Sequence, residues 1–205
     1  MIPKTNVRFW NTRMGAANML DKKPELVVYA GPNGSGKSTL TRLARISGIY
    51  INADDIKAAS HCDDLAAAKA AEALRENALS QKEPFTFETV LSTPRNLDLM
   101  RRARAQGYFI WGLYVLTADP NINLMRVRSR EQNGGHGVPE EKITARYYRS
   151  LALLPSFIAV CDVCHVYDNT MEPTRIFKKR KDQSFVFPSG IWTEDKIRQL
   201  ITASL

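Results

Sequence analysis

Short apolar runs alternate with longer stretches whose apolar positions recur at helical spacing through most of the chain. The run Leu26-Val27-Val28-Tyr29-Ala30 predicts a strand over 25–30, and Ile49-Tyr50-Ile51-Asn52 predicts a short second one. Phe85 to Val90, Tyr108 to Leu116 and Val160 to Tyr167 predict three more, and the second of these is so continuously apolar that it must be covered on both faces. Between them lie helical patterns: one opening near Lys37, an alanine-rich span from Leu65 to Ser80, Asn96 to Gln106, and Asn121 to Arg130. A further helix is expected from Pro139 to about Leu154, because proline suits a first turn, Glu140 and Glu141 favour its positive end, and Pro155 follows. Thr174 to Lys178 with Ser184 to Phe187 predicts a hairpin, and Trp192 to Leu200 a closing helix. Strands alternating with helices define an α/β protein whose sheet is mainly parallel.

One junction carries chemistry. The segment Gly31-Pro32-Asn33-Gly34-Ser35-Gly36-Lys37-Ser38 fits G-x-x-x-x-G-K-[ST], follows the first strand and leads into a helix. Glycines let the backbone wrap phosphate oxygens with its N–H groups, and the helix start adds a partial positive charge. Gly31 to Ser38, with Thr39 beside them, are therefore the expected contacts to ATP or GTP. Lys37 is expected to reach the β- and γ-phosphates and Ser38 to ligate Mg²⁺. The fold this implies is the three-layer P-loop NTPase fold: helices on both faces of the sheet, an arginine-bearing, glycine-rich lid, and a C-terminal β-hairpin and helix. The expected division is an N-terminal extension over 1–23 and a P-loop kinase domain over 24–205.

Ligands of such sheets gather at the carboxyl ends of strands. Asp54 and Asp55 follow the second strand and Glu88 closes the third. One carboxylate there can take a proton from an attacking hydroxyl while another orients the acceptor. Asp54 or Asp55 could equally cap the helix that begins before Ile56. Arg126, Arg128 and Arg130 precede the cluster Asn133-Gly134-Gly135-His136-Gly137, and Arg146 and Arg149 follow it. Helical spacing puts Arg126 with Arg130 on one face and turns Arg128 away. Such arginines can meet charge on a transferred phosphoryl group, or stand as solvated surface cations.

Composition narrows the partners. The 205 residues carry a formal net charge of +8, which suits an anionic substrate without choosing one. The run Lys178-Lys179-Arg180-Lys181 is either a nucleic-acid patch or a solvated hairpin tip. No stretch nears the ~20 apolar residues that span a bilayer, and no secretory h-region opens the chain, so a cytoplasmic protein is expected. Three cysteines fit a reducing compartment. Cys161-Asp162-Val163-Cys164-His165 matches C-x-x-C-H, but its alternation fits a packed strand better than a haem or zinc site. No strand ends in a plain Walker-B aspartate: Val115-Leu116-Thr117-Ala118-Asp119 leaves Asp119 to start the next helix, and the second metal ligand is unassigned.

Taken together, the P-loop, Asn52-Ala53-Asp54-Asp55-Ile56, Phe87-Glu88-Thr89-Val90-Leu91-Ser92, Gly134-Gly135-His136-Gly137-Val138-Pro139, Arg146-Tyr147-Tyr148-Arg149-Ser150-Leu151 and Tyr167-Asp168-Asn169-Thr170 resemble the zeta toxin family of P-loop kinases over residues 25 to 170. Zeta toxins proper phosphorylate the sugar 3′-hydroxyl of UDP-N-acetylglucosamine and pair with an antitoxin. The resemblance implies Asp54 as general base and Glu88 on a substrate hydroxyl, with Thr89 and Asp55 beside it. It implies Lys37, Arg126 and Arg130 on the phosphates. The chain departs from the family near His136, where a second arginine would fall, so either Arg146 or Arg149 takes over or the reaction differs. A small-molecule acceptor, a nucleotide sugar among them, an antitoxin partner, and ATP or GTP with Mg²⁺ follow as expectations. A polynucleotide 5′-hydroxyl kinase and a slow ATPase acting as a binding switch are the rival readings.

Overall fold

The computed structural model describes residues 23–41, 45–133 and 139–202. Nearly all of the expected N-terminal extension and the glycine cluster Gly134 to Val138, with His136, lie outside the described residues. The described strands form one seven-stranded sheet in the order β2-β3-β1-β4-β5-β6-β7. β1 (Glu25–Ala30), β2 (Ile49–Ile51), β3 (Phe85–Thr89), β4 (Phe109–Leu116) and β5 (Val163–Asp168) run parallel. β6 (Thr174–Arg180) and β7 (Gln183–Val186) extend the sheet antiparallel as a hairpin. β1 is central: Leu26, Val28 and Ala30 are buried, and so are Val27 and Tyr29, which point the other way. Both faces are therefore covered, as the continuous apolar run requires.

The helices are α1 (Lys37–Thr41), α2 (Ala53–Ser60), α3 (Asp64–Ser80), α4 (Arg95–Ala105), α5 (Pro120–Gln132), α6 (Glu140–Ala152), α7 (Leu154–Val160) and α8 (Glu194–Thr202). Their starts follow ordinary capping chemistry. Asp119 caps α5 by accepting from the Asn121 N–H at 2.8 Å, with Pro120 in the first turn. α2 is capped by Asn52, whose side chain accepts from the Asp54 N–H at 3.0 Å. The capping reading of Asp54 and Asp55 is thus corrected: both lie in the first turn and leave their carboxylates exposed.

One helix escapes the sequence pattern. Pro155, expected to follow a helix end, sits in the first turn of α7, where its missing N–H costs nothing. α6 stops at Ala152, α7 takes up Leu154 to Val160, and the next strand begins only at Val163. Cys161 and Cys164 are buried free thiols at this junction. Gly112 on β4, paired with Cys164, has no side chain because Cys161 Sγ and the Phe157 ring fill that space. Among the described residues no group of His, Cys, Asp and Glu is placed to hold a metal as the C-x-x-C-H pattern would require. The basic run is a hairpin arm and tip, partly used in packing. Lys179 Nζ donates to the carbonyls of Ile158 and Ala159 at 2.8 and 3.1 Å, closing the end of α7, and Lys178 lies over the Phe185 ring. Among the described residues no helix is long and apolar enough to cross a membrane.

Candidate active site

β1 is flanked by β3 on one side and β4 on the other, so the chain leaves the sheet centre in two directions and opens a crevice at the carboxyl ends. The P-loop fills that crevice. The Gly31 N–H is tied to the Thr89 carbonyl at 3.2 Å and the Ser35 N–H to the Pro32 carbonyl at 3.2 Å. Gly34 and Gly36 have φ of 75° and 90°, a region that a side chain resists. Space forbids one as well: a Cβ on Gly34 would meet the Asn123 backbone oxygen at 2.4 Å, and one on Gly36 would meet Asn169 Nδ2 at 2.2 Å.

Lys37 is half-buried and donates to the Pro32 carbonyl at 2.9 Å. Burial pulls its ammonium pKa down to about 8, opposed by the negative charges of Glu88 and Asp54 and reinforced by Arg130. The cradle thus places one lysine in the field of two carboxylates and an arginine drawn from α2, β3 and α5. Glu88 is the best-connected of these. Its Oε2 accepts from Ser38 Oγ at 3.0 Å and its Oε1 from Tyr50 OH at 2.6 Å, while Asn52 Nδ2 donates to the Tyr50 oxygen at 3.2 Å. Burial and the Glu88 carboxylate hold the Tyr50 phenol far above its usual range, so it remains a donor. Ser38 and Glu88 together present the hard oxygen donors that suit Mg²⁺.

Other expected residues separate. Thr89 is turned inward: its hydroxyl accepts from the Leu91 N–H at 2.9 Å and from Asn96 Nδ2 at 2.7 Å, holding Leu91 at a φ of 54° in the turn after β3. The expectation of a substrate contact from Thr89 is corrected accordingly, since its side chain builds the turn. Asp55 is exposed beside Asp54. On α5, Arg126 donates to the Thr170 carbonyl at 3.1 Å and keeps its Nη1 buried without an acceptor. Arg128 turns away, as its spacing predicts, and pairs with Glu140. Arg130 lies in the electrostatic field of Lys37. On α6, Arg146 is half-buried, whereas Arg149 is exposed and bonds its own Ala145 carbonyl at 3.2 Å.

Several site residues are given no role by the sequence, although Asp168 and Asn169 lie in a segment that carries the family resemblance. Asn123, fully buried in the first turn of α5, donates through Nδ2 to the Asn33 carbonyl at 2.5 Å and accepts from Thr117 Oγ1. Asn169, just past β5, donates to the Ser35 carbonyl at 2.7 Å. Asp168, at the end of β5, accepts from the Thr170 hydroxyl and N–H and so shapes the same turn. Thr117 stands where a Walker-B acid would follow an apolar strand, and its carbonyl accepts from Tyr147 OH on α6 at 2.6 Å.

A glycine-wrapped anion cradle at the switch point of a parallel sheet, with two carboxylates and Arg130 in the field of its lysine, defines a P-loop protein of the kinase type. A model of the zeta toxin family matches residues 12–184, and the chain belongs to that family. An uncharacterized protein of Haemophilus influenzae is 31% identical over 127 residues, which cover 59% of this chain and 91% of that protein. The fold is similar to that in the PezAT chromosomal toxin–antitoxin system of Streptococcus pneumoniae, with a TM-score of 0.56 and 15% identity over 90% of this chain and 80% of that one. It is also similar to a chain of the AvrRxo1-ORF1:AvrRxo1-ORF2 complex with sulphate ions, with a TM-score of 0.66 and 12% identity over 87% of this chain and 64% of that one. At such identities the two structural likenesses are of fold.

Proposed function

We propose that the protein transfers the γ-phosphoryl group of ATP or GTP to a hydroxyl of a small molecule, a nucleotide sugar of the UDP-N-acetylglucosamine kind, with Mg²⁺. The observation that carries this reading is Glu88 of β3 bonded to Ser38 at the mouth of the P-loop, with Asp54 of α2 and Arg130 of α5 in the electrostatic field of the same lysine. A transfer reaction needs a carboxylate by the cradle to take the acceptor's proton, and Asp54, exposed at the start of α2, lies within electrostatic reach of Lys37. In this reading Gly31 to Thr39 hold the triphosphate, and Lys37 exchanges the Pro32 carbonyl for phosphate oxygens. Ser38 and Glu88 would hold Mg²⁺, which supplies neutralisation of the triphosphate charge when bound. Asp54 accepts the proton, and Glu88 and Asp55 orient the acceptor. The acceptor oxygen bonds phosphorus as the bond to the leaving diphosphate breaks, and Arg126, Arg130 and Arg146 meet the charge that spreads over the group in flight.

The same reading makes the protein a toxin restrained by an antitoxin, in keeping with its family. Incubation with γ-labelled ATP, Mg²⁺ and UDP-N-acetylglucosamine tests the acceptor: label should move into a phosphorylated nucleotide sugar, and its appearance only as inorganic phosphate would refute that choice. Growth arrest on expression, relieved by Lys37→Ala, tests the toxin.

A further inference from the structure

The geometry points to Asn123 and Asn169 as positioning residues that hold the P-loop in its phosphate-receiving shape, an inference that rests on the kinase reading above. Each side chain donates to one outward carbonyl of the loop, Asn123 Nδ2 to Asn33 O at 2.5 Å and Asn169 Nδ2 to Ser35 O at 2.7 Å. Because a trans peptide is planar, the C=O of one residue and the N–H of the next point in opposite directions. A donor that fixes the Asn33 carbonyl therefore aims the Gly34 N–H, and one that fixes the Ser35 carbonyl aims the Gly36 N–H. Those are the peptide groups that such a loop turns toward a bound anion. Glycine gives these positions the freedom to flip, so something outside the loop must remove it.

Both asparagines are seated for the task. Asn123 is fully buried, its amide oxygen takes the Thr117 hydroxyl, and its backbone oxygen packs where a Gly34 side chain would be. Thr117 is in turn held by Tyr147 of α6 through its carbonyl. Asn169 fills the space beside Gly36 and follows the turn that Asp168 builds with Thr170. Asn123 also shares α5 with Arg126 and Arg130 at helical spacings of three and seven, so the tie to the cradle and these arginines belong to one face of one helix. Neither asparagine needs to touch the nucleotide to do this.

The test compares binding of ATP and of AMP by Asn123→Asp, which keeps shape but loses the donor, and by Asn169→Ala, which adds no charge, with thermal unfolding as a check on folding. Loss of one oriented hydrogen bond should weaken ATP by about 3- to 10-fold in Asn169→Ala, and more in Asn123→Asp, where a carboxylate faces a carbonyl. AMP, which reaches less of the cradle, should change little. With acceptor present, KM for ATP should rise more than kcat falls, a split that lowered stability alone does not produce. Folded variants that bind ATP within about twofold of the wild type, or that lose ATP and AMP equally, would overturn the proposal. Wild-type protein that binds no triphosphate at all would overturn the kinase reading itself, a different result from wild-type binding that the variants share.

Discussion

Two places along one sheet treat a basic side chain in opposite ways. At the cradle, burial draws the Lys37 ammonium down to about pH 8, but Glu88 and Asp54 pull it back. On β5, where the parallel strands meet the antiparallel hairpin, burial draws His165 down to about 4, and its neighbours Arg175 and Lys178 push the same way. The cradle therefore keeps a charge poised between carboxylates, ready for an anion to complete it. β5 keeps a neutral imidazole in packing, pushed that way by two cations. What separates a site from a core here is the company the group keeps, since burial pulls both the same way.

The largest break in this comparison should come from the cradle's acid. Asp54→Asn should lower transfer by ~10²–10⁴ while nucleotide affinity stays nearly unchanged, measured by steady-state kinetics beside a binding titration. On β5, His165 binds its proton less tightly folded than unfolded, so stability is intact above about pH 6.5 and is lost as pH falls toward 4. That loss amounts to about 3 kcal/mol, and His165→Gln should abolish it in urea unfolding measured across that window. Lys37 is read by affinity: its proton leaves near pH 8 in the free protein, so ATP binding should weaken about tenfold per pH unit above that point. Lys37→Arg should flatten the slope, because a guanidinium stays charged. The smallest effect belongs to Arg128, whose exposed pair with Glu140 points away from the cradle; Arg128→Ala should leave transfer and Tm unchanged, in contrast to Arg126→Ala and Arg130→Ala.

The parts of the molecule legible in sequence are those whose signal is local. Glycine spacing beside an apolar run announces the P-loop, and continuous apolar runs announce the parallel strands. Aspartates after a strand announce the acidic rim, and helical spacing separates Arg128 from Arg126 and Arg130. The roles of Asn123 and Asn169 could not be read this way, although Asn169 lies in the resemblance segment, because their partners Asn33 and Ser35 lie 90 and 134 residues away along the chain. Tyr50 was read only as part of a strand, and its bond to Glu88 is set by β2 lying next to β3. Pro155 hid α7, since proline marks the first turn of a helix as readily as the end of one. Asn52 was passed over as a cap because the two aspartates behind it carry the stronger charge, although its amide oxygen is the one placed to accept.

The central claim is that this cradle delivers phosphorus to an alcohol. The most direct measurement incubates wild-type protein and Asp54→Asn with γ-labelled ATP, Mg²⁺ and pooled cell metabolites, and follows where the label goes. The account predicts a new labelled organic phosphate with the wild type and almost none with the variant. Label found only in inorganic phosphate, at the same slow rate in both, would contradict it.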